Sequence, residues 1–580
     1  MRFLALIIAR VLGALALLAV LPALAQAAEP VRLRLIAFND LHGHLEADGK
    51  TLAVPDPRAS GARTPLPVGG ADQLAAQVRA LRAAAPHSLL VSVGDLVGAS
   101  PLVSGLFLDE PTIEFANLLG VDVAVLGNHE FDRGVAELQR LARGGCGEAS
   151  GAFQSCAGPG AAYAGARFPM LAANVMDGRG APLFPASWVT SIAGQRVGFV
   201  GVVTRSTARI VKPSGITGLS FEDEAAALNR EARALRRAGV GVIVAVVHEG
   251  GEAGADIDGC TAPQGRIFAI ERQLGPEIDV VLSAHTHEAY LCRIGPRPVV
   301  QGGSYGRLLT VVDLVIDPAS GRLRPDATRL RNLPVSRSRE LPPELAAAYP
   351  ALTPDTAAST LVAHYAERAA PLGQLPAGRI AAPFRRVAEP GQDSTAGRLI
   401  ADAQLAATRP AGAQIAFTNP GGMRTDLVSR ARDGAVSLAD VYAMQPFGNS
   451  LVTLSLSGED LLRLLEQQWS ADGSRMRVLQ PSRGFSYAWD ARRSARPRVV
   501  ADSVRLEGRR IDPQRIYRVT VNSYLAEGGD GFSVLRDGRE RSGGPLDVEA
   551  LRDYLRAESA AAPLAPDTEP RVRRLDGPAH

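Results

Sequence analysis

The chain has 580 residues, more than one hydrophobic core usually organises, so two or more domains are expected. Its content of 46% apolar and 21% charged residues is typical of a globular protein. The formal net charge is only +3 and no basic cluster stands out, so the composition gives no support to binding of a nucleic-acid polymer.

The N-terminal residues combine an arginine, a Leu/Ala-rich stretch and small residues in A-x-A spacing. This pattern predicts a cleaved secretory signal at residues 1–27, with Ala25-Gln26-Ala27 as the preferred cleavage triplet and Ala23-Leu24-Ala25 as the second choice. A retained membrane anchor is the alternative. No apolar tail closes the sequence, so we expect no membrane anchor after cleavage and a periplasmic or secreted location.

Residues 28–335 alternate short Val/Ile/Leu-rich runs with Ala-rich helical stretches, and the runs include "VRLRLIAF", "VDVAVLG", "VGVIVAVV" and "DVVLSA". Continuous apolar runs of this length indicate strands buried on both faces. We therefore predict an α/β layered domain here. Residues 336–373 predict a Pro-punctuated linker with one helix, residues 374–563 a second α/β domain, and residues 564–580 a frayed tail.

The four cysteines form two locally spaced pairs. Cys146 and Cys156 bracket a Gly-rich loop, and Cys260 and Cys292 bracket a segment that ends just past two histidines. An even number of cysteines in an oxidising compartment favours the disulfides 146–156 and 260–292. Metal binding by these cysteines is the weaker alternative because none has C-x-x-C spacing.

Several predicted strands of the first domain end directly before possible metal ligands. Five of the nine histidines follow such strands, and ligands of open α/β sheets bind at the carboxyl ends of strands. Any one of these motifs alone is more often structural, but the ordered set favours a metal site. The candidate ligands are Asp40, His42, Asp95, Asn128, His248, His285 and His287.

The order D-x-H, G-D, G-N-H-E, H and A-H-x-H resembles the calcineurin-like metallophosphoesterase pattern, with Ala284 in place of a glycine. The resemblance implies an αββα sandwich and two divalent cations, for which imidazole, carboxylate and amide ligands favour Mn, Zn, Co or Fe. It implies a hydroxide between the cations that attacks phosphorus in line. One cation is expected at Asp40, His42 and His287, the other at Asn128, His248 and His285, with Asp95 as the bridge.

The same resemblance assigns catalytic roles to two further residues. His129 is expected to stabilise charge on the phosphoryl oxygens or to protonate the leaving oxygen, and Asp132 to orient the imidazole. Glu130, between them, is expected to be structural.

In the second domain, "TNPGGMRTDL", "MQPFGNSL" and "NSYLAEGGDGF" resemble the substrate domain of the 5'-nucleotidase family, which includes bacterial periplasmic bifunctional enzymes. The resemblance implies that Phe447 and Tyr524 sandwich a nucleobase and that Asp530 binds the ribose hydroxyls. It assigns Asn419 and Arg424 to the base or phosphate. Core packing is the alternative for each aromatic residue, but glycine-rich flanks favour loop positions.

One departure from the family concerns an arginine that often precedes the stretch 393–405 and grips phosphate. This chain has "VAEPGQD" there, and Arg385 and Arg386 are the nearest candidate replacements. The departure bears on substrate preference more than on catalysis.

We therefore predict a secreted phosphohydrolase that removes the 5'-phosphate from nucleotides for salvage. Alternatives with the same metal centre are hydrolysis of 2',3'-cyclic nucleotides or UDP-sugars, or a thiosulfohydrolase of the sulfur-oxidation type. A non-catalytic nucleotide-binding periplasmic or surface protein is less favoured because all seven ligand positions hold competent residues.

Overall fold

A computed structural model describes residues 29–575 except 149–152, 161, 212, 255, 338–340, 470–475 and 494–496. The predicted signal peptide lies outside the described residues, as do residues 576–580 of the predicted tail. Within the described ranges, no helix has both the length and the apolar character needed to cross a bilayer.

Two six-stranded sheets organise the first domain, with strand orders β16-β15-β1-β4-β5-β6 and β13-β14-β12-β11-β9-β8. The pairs β2–β3 and β7–β10 form separate ribbons. The strands are β1 (Val31–Phe38), β2 (Thr51–Pro55), β3 (Arg63–Pro67), β4 (Ser88–Ser92), β5 (Val123–Val125), β6 (Met170–Leu171), β7 (Val175–Met176), β8 (Ser187–Ile192), β9 (Gln195–Val203), β10 (Ser220–Phe221), β11 (Val242–His248), β12 (Val280–Ser283), β13 (Ala289–Ile294), β14 (Arg297–Gly302), β15 (Leu308–Ile316) and β16 (Arg329–Pro334).

Helices cover the outer faces of both sheets, and an apolar layer from both sheets, including Leu35, Val91, Val244 and Leu282, lies between them. The predicted αββα sandwich is therefore confirmed. The helices are α1 (Ala71–Ala83), α2 (Leu102–Gly105), α3 (Glu110–Leu119), α4 (Val135–Arg143), α5 (Thr207–Ile210), α6 (Glu224–Arg237) and α7 (Arg266–Glu271), with 3-10 turns at His129–Phe131, Pro213–Ile216 and Pro325–Ala327.

The central strand β11 shows why the apolar runs form this sheet. All seven of its residues are buried, and it pairs in parallel with β9 on one side and β12 on the other. Parallel strands need crossover helices, and α6 supplies one of them. That helix begins where the Asp223 side chain accepts a hydrogen bond from the Ala226 N–H at 3.2 Å.

The linker contains two helices, α8 (Pro343–Ala348) and α9 (Thr356–Gly373), so the expectation of one helix was wrong. The Asp355 carboxylate caps α9 by accepting from the Ala358 N–H at 2.8 Å. Midway along α9, the buried Tyr365 hydroxyl donates to Glu114 Oε2 at 2.9 Å. The linker helix is thus docked on the first domain, within an apolar core that continues into the second.

The second domain contains sheets with the strand orders β21-β18-β25-β20-β26 and β24-β23-β22-β27, and a β17–β19 pair. Its strands are β17 (Pro376–Arg379), β18 (Ile415–Thr418), β19 (Ala435–Ser437), β20 (Ser450–Ser457), β21 (Gln480–Pro481), β22 (Phe485–Asp490), β23 (Arg505–Leu506), β24 (Arg509–Arg510), β25 (Ile516–Asn522), β26 (Arg539–Leu546) and β27 (Val572–Leu575). Its helices are α10 (Thr395–Thr408), α11 (Leu438–Met444), α12 (Gly458–Glu466), α13 (Ser523–Ala526) and α14 (Asp547–Glu558), with 3-10 turns at Arg409–Ala411, Pro420–Gly422, Ala501–Ser503, Gly529–Gly531 and Ser533–Asp537.

Part of the predicted frayed tail is ordered. Strand β27 pairs in parallel with β22, and Val572 at its start is fully buried. The adjacent Arg571 donates to both carboxylate oxygens of Asp402, at 2.6 and 2.9 Å. These contacts could not be predicted from the composition of the segment, because they are made with residues far away in the sequence.

Both expected disulfides are present, Cys146–Cys156 and Cys260–Cys292. Each closes a short local loop, as the cysteine spacing predicted.

Candidate active site

The predicted metal ligands meet where five strands of the sandwich end. His248 is the last residue of β11, and the others follow β1, β4, β5 and β12 within five residues. The ligand atoms of Asp40, His42 and His287 all lie within 4.8 Å of one another, and so do those of Asp95, His248 and His285. A third group within the same distance is His42, Asp95 and His129. The first two groups contain all the predicted ligands except Asn128, and the assignment of ligands to individual cations stays a prediction.

Asp95 lies between the two clusters. Its Oδ2 is 3.6 Å from His42 Nε2 and 3.1 Å from His248 Nε2. Across the first cluster, His42 Nε2 is 3.2 Å from His287 Nε2, and His287 Nε2 is 3.5 Å from Asp40 Oδ1. A carboxylate in this position can give one oxygen to each of two cations.

The backbone orients two of the imidazoles towards this centre. His42 Nδ1 lies 2.9 Å from the Gly98 carbonyl oxygen, and His248 Nδ1 lies 2.8 Å from the Val93 carbonyl oxygen. A carbonyl only accepts, so each Nδ1 carries the proton and each Nε2 faces the centre. The Asn128 Oδ1 atom is buried and has no hydrogen-bond partner within the described ranges, as expected for an oxygen that binds a cation.

Burial and the Asp95 carboxylate control the protonation of the donor set. Burial lowers the pKa of His42, His285 and His287, so these rings are neutral at pH 7 and can donate a lone pair. Burial, reinforced by the Asp95 carboxylate, raises the pKa of Asp40 to about 7. Burial opposes charging of His248, but Asp95 outweighs it and raises the pKa of His248 to about 10, so this ring must lose a proton before it binds a cation. Imidazoles, carboxylates and an amide oxygen suit first-row divalent metals.

Tight turns bring these side chains together. Five of the candidate ligands have positive φ angles, in a region that costs non-glycine residues of the order of 1–3 kcal/mol each and is concentrated at functional sites. Gly94 has φ 88°, and a Cβ there would lie 2.5 Å from His248 Nδ1. The strained ligands are Asp40 (50°), His42 (47°), Asp95 (49°), His285 (73°) and His287 (60°).

The segment after β5 holds a histidine–carboxylate pair beside the centre. His129 Nδ1 lies 2.7 Å from Asp132 Oδ2, and the His129 N–H donates to Asp95 Oδ1 at 2.9 Å. Burial opposes charging of His129, but Asp132 and Asp95 outweigh it and raise the pKa of His129. Glu130 accepts hydrogen bonds from backbone N–H groups of the neighbouring turns, including those of Gly127 and Leu96, at 2.7 and 2.8 Å. Its contacts are those of a structural residue.

A cavity of about 200 Å³ opens beside this pair and joins the two domains. The first domain contributes Asn128, His129, Asp132 and His285 to its walls. The second domain contributes all five predicted substrate residues, which are Asn419, Arg424, Phe447, Tyr524 and Asp530.

Contacts across this cavity link the catalytic and substrate candidates. The Phe447 ring stacks on His129 with centroids 5.9 Å apart and an interplanar angle of 21°. The Arg424 guanidinium lies 5.9 Å from the centre of the same ring. On the opposite loop, Asp530 accepts from the Tyr524 hydroxyl at 2.9 Å and from Asn419 Nδ2 at 2.7 Å. These bonds hold the Asp530 carboxylate in place and leave it further acceptor capacity.

Neither candidate for the missing family arginine is among the residues that line this cavity. Arg385 forms an ion pair with Asp426 at 2.9 Å, and the Arg386 guanidinium donates to the Arg424 carbonyl at 3.0 Å. Sequence reasoning missed several cavity residues, although two of them, Asn449 and Asn522, lie within the stretches that carry the family resemblance. They include Ser100, Asp109, Arg133, Asn449 and Asn522.

The loop that carries Phe447 is anchored to a buried carboxyl group. The Asp547 N–H donates to the Asn449 carbonyl at 2.8 Å, and Asn449 Nδ2 lies 3.4 Å from Asp547 Oδ2. Burial raises the pKa of Asp547 to about 7, against about 3.9 in an unfolded chain. The folded state therefore binds a proton that the unfolded state lacks between about pH 4 and 7, and stability contributed by this group falls as pH rises through that window.

Asp547→Asn is expected to remove this pH dependence because an amide does not ionise. The thermal-unfolding midpoint of the variant, relative to the unmodified protein, should be higher at pH 8 than at pH 5. An equal difference at both pH values would contradict the assignment.

Residues 33–289 match the calcineurin-like phosphoesterase family, and residues 372–537 match the 5'-nucleotidase C-terminal domain. The chain belongs to the 5'-nucleotidase family. Members of this family are metal-dependent phosphoesterases, and calcineurin-like phosphoesterases use a dinuclear metal centre. The two clusters of Asp and His described above could hold such a pair of ions.

Individual relatives are similar to most of this chain. The chain is 31% identical over 551 residues to endonuclease YhcR of Bacillus subtilis, and the match covers 94% of this chain and 41% of that protein. It is 30% identical to cell wall protein Lmo0130 of Listeria monocytogenes, and that match covers 92% of this chain and 68% of the relative. The chain therefore spans less than half the length of the first of these relatives.

A solved structure of a 5'-nucleotidase precursor from Thermus thermophilus has the same architecture. The TM-score is 0.73 at 27% identity, and the match covers 94% of this chain and 100% of the other.

Proposed function

We propose that this chain is an extracytoplasmic 5'-nucleotidase that hydrolyses nucleoside 5'-monophosphates to nucleoside and phosphate. One observation carries the proposal: the candidate metal centre and the candidate nucleoside-binding loops line the same cavity. A phosphoesterase centre alone would leave the substrate open, whereas loops bearing Phe447 and Tyr524 favour a ligand with an aromatic base.

Two divalent cations fit the donor set. Asp40, His42 and His287 would hold one, and Asn128, His248 and His285 the other, with Asp95 shared. When bound, such cations supply Lewis acidity to the phosphoryl group and lower the pKa of a water molecule.

The proposed chemistry forms a bond from a water oxygen to phosphorus and breaks the bond between phosphorus and the ribose 5'-oxygen. The leaving oxygen needs a proton, and His129 is proposed to donate it. Asp132, 2.7 Å from His129 Nδ1, holds the ring so that Nε2 carries this proton. Because the His129 N–H also bonds to Asp95 at 2.9 Å, the proton donor is fixed relative to the metal ligands.

Substrate recognition is assigned to the second domain. Arg424 is proposed to bind the phosphate, because a guanidinium can bind phosphate oxygens bidentately. Asp530, held by Tyr524 and Asn419, is proposed to accept hydrogen bonds from the ribose hydroxyls. Two disulfides and similarity to a cell wall protein support a location outside the cytoplasm, where salvage of nucleotides would take place.

Product formation by the purified protein with added Mn²⁺ tests the proposal, with free phosphate measured directly and nucleotide products separated by chromatography. The substrates are AMP, UDP-glucose, 2',3'-cyclic AMP, a simple aryl phosphate and a single-stranded oligonucleotide, each with and without a chelator. Chelator-sensitive turnover that is fastest for AMP is the expected result. Faster cleavage of the cyclic nucleotide, the UDP-sugar or the oligonucleotide would replace the proposed substrate, and no product from any of them would overturn the enzymatic assignment.

Tyr524→Ala is expected to raise KM for AMP about 10-fold or more, because stacking on an aromatic ring contributes roughly 1–3 kcal/mol per base. KM for the aryl phosphate should change much less. Tyr524→Phe keeps the ring and should retain most of the affinity, and Tyr349→Ala, on the linker, is a matched control. An equal rise in KM for AMP and for the aryl phosphate in Tyr524→Ala would contradict a stacking role.

A further inference from the structure

Arg133 is a cation of the cavity to which no family motif assigns a role. It directly follows Asp132, and it lines the cavity together with Arg424 from the other domain. No carboxylate oxygen of the described chain forms an ion pair with Arg133 within 4.0 Å. Many arginines of this protein are paired with acidic residues, as Arg140 is with Glu110 and Glu137. An unpaired guanidinium in a substrate cavity indicates an anionic ligand.

The Arg133 guanidinium is held in place from two sides. It lies over the Phe153 ring, 4.6 Å from the ring centre, and its Nη2 atom donates to the Gly105 carbonyl at 3.2 Å. A guanidinium has five N–H donors in a planar fork, so this arrangement orients the group and leaves donors for a ligand.

Phe153 itself is held by contacts of the residues that follow it. The Gln154 N–H donates to the Leu106 carbonyl at 2.8 Å. Two residues further on, Cys156, which is bonded to Cys146, donates its N–H at 2.7 Å to the carboxylate of Glu110, which is fully buried. These contacts fix Phe153 to the first domain.

The far edge of the Phe153 ring reaches the loop of the second domain that carries Phe447. A Cβ placed on Gly448 would lie 3.5 Å from Phe153 Cζ, which is van der Waals contact. Phe153 thus lies between Arg133 and Gly448, which follows the residue proposed to stack on the base.

We propose that Arg133 is a specificity-determining residue that binds a phosphate group of the substrate other than the one being cleaved, and that Phe153 positions it. The inference rests on the proposed nucleotidase function. Two cations would bind the scissile phosphoryl group, and Arg424 adds a further positive charge on one side of the cavity. Arg133 lies on the first-domain side of the same cavity, and unlike Arg140 it has no carboxylate partner within the described ranges. A second phosphate group on the nucleotide would supply the missing anion.

Steady-state kcat/KM for three substrates tests the proposal. AMP has one phosphate, ADP has its second phosphate next to the scissile one, and adenosine 3',5'-bisphosphate has it on the ribose. Arg133→Ala is expected to lower kcat/KM for one of the doubly phosphorylated substrates about 10- to 100-fold more than for AMP, the range of one charge-assisted contact. The substrate that is affected identifies where the second phosphate lies.

Three further variants separate charge, position and fold. Arg133→Lys should restore part of the preference, because it keeps the charge and loses the planar fork. Phe153→Ala should raise KM for the same substrate while kcat is retained. Arg143→Ala removes an exposed arginine at the end of α4. It should leave unchanged the ratio of kcat/KM for the doubly phosphorylated substrate to kcat/KM for AMP. Thermal-unfolding midpoints report whether each variant is folded.

The proposal would be overturned if Arg133→Ala lowered kcat/KM equally for all three substrates. It would also be overturned if Arg143→Ala changed the ratio of kcat/KM between a doubly phosphorylated substrate and AMP as much as Arg133→Ala does. Calorimetric binding of the same three nucleotides measures the preference without turnover. If the unmodified protein does not hydrolyse AMP but Arg133→Ala still loses affinity only for a bisphosphorylated ligand, the proposed function fails while the assignment of Arg133 stands.

Discussion

Asp95→Asn is expected to lower kcat for AMP by about 10³-fold or more, since a shared metal ligand contributes several kcal/mol and each 1.36 kcal/mol corresponds to a factor of ten. The Asp95 Oδ2 atom lies 3.6 and 3.1 Å from the Nε2 atoms of His42 and His248, one from each cluster. An amide has only one oxygen and no charge, so it replaces this bridge poorly. Bound metal, measured by inductively coupled plasma mass spectrometry, should fall from about two ions per chain at the same time.

Asp122→Asn is the matched control for this variant. Asp122 precedes β5, and its carboxylate accepts from the Leu90 N–H at 2.7 Å and pairs with Arg82. It lies at the opposite end of that strand from Asn128, so the variant should keep both metal content and turnover. Full activity and full metal content in Asp95→Asn would show that Asp95 does not bridge the cations.

His129→Ala is expected to lower kcat about 10²- to 10⁴-fold, the usual contribution of a positioned proton donor, with the metal content unchanged. Metal content is the informative readout because a nitrogen of His129 also lies within 4.8 Å of ligand atoms of His42 and Asp95. If His129 were a metal ligand instead, the variant would lose metal together with activity.

Asp132→Asn tests whether His129 and Asp132 act as one unit. Their 2.7 Å contact predicts a smaller loss of kcat in Asp132→Asn than in His129→Ala, because the ring remains and only its orientation and charge balance change. Residues in one network are not additive, so the double variant should be no slower than His129→Ala alone. Losses that multiply in the double variant would show that the two residues act independently.

The sandwich of the first domain could be predicted because its strands are buried on both faces. Strand β11 has the sequence Val-Ile-Val-Ala-Val-Val-His. In a layered α/β chain, a continuous apolar run of this length indicates a strand buried on both faces. The candidate ligands could be predicted for a related reason: polar residues at the ends of such strands lie at one edge of the sheet, so their order along the chain indicates a site.

The linker and the C-terminal segment could not be predicted in the same way. Residues 336–373 were expected to hold one helix, but α8 and α9 both form, and α9 is stabilised by the docking of Tyr365 on Glu114. Strand β27 is stabilised by parallel pairing with β22 and by the hydrogen bond from Arg571 to the Asp402 carboxylate. Pattern analysis uses neighbours in the sequence and therefore cannot detect partners that lie about 80 to 250 residues away.

The sequence by itself determined the two α/β domains, the disulfide pairs and the identities of the candidate ligands, because each depends on local periodicity, spacing or a motif. Only the tertiary structure decided which side chains contact one another around the cavity between the two domains. Phe447 meets His129 through the packing of two domains, and Arg133 is oriented by Phe153 from a separate loop. Such contacts join surfaces whose relative position is set by the whole core, which no local pattern encodes.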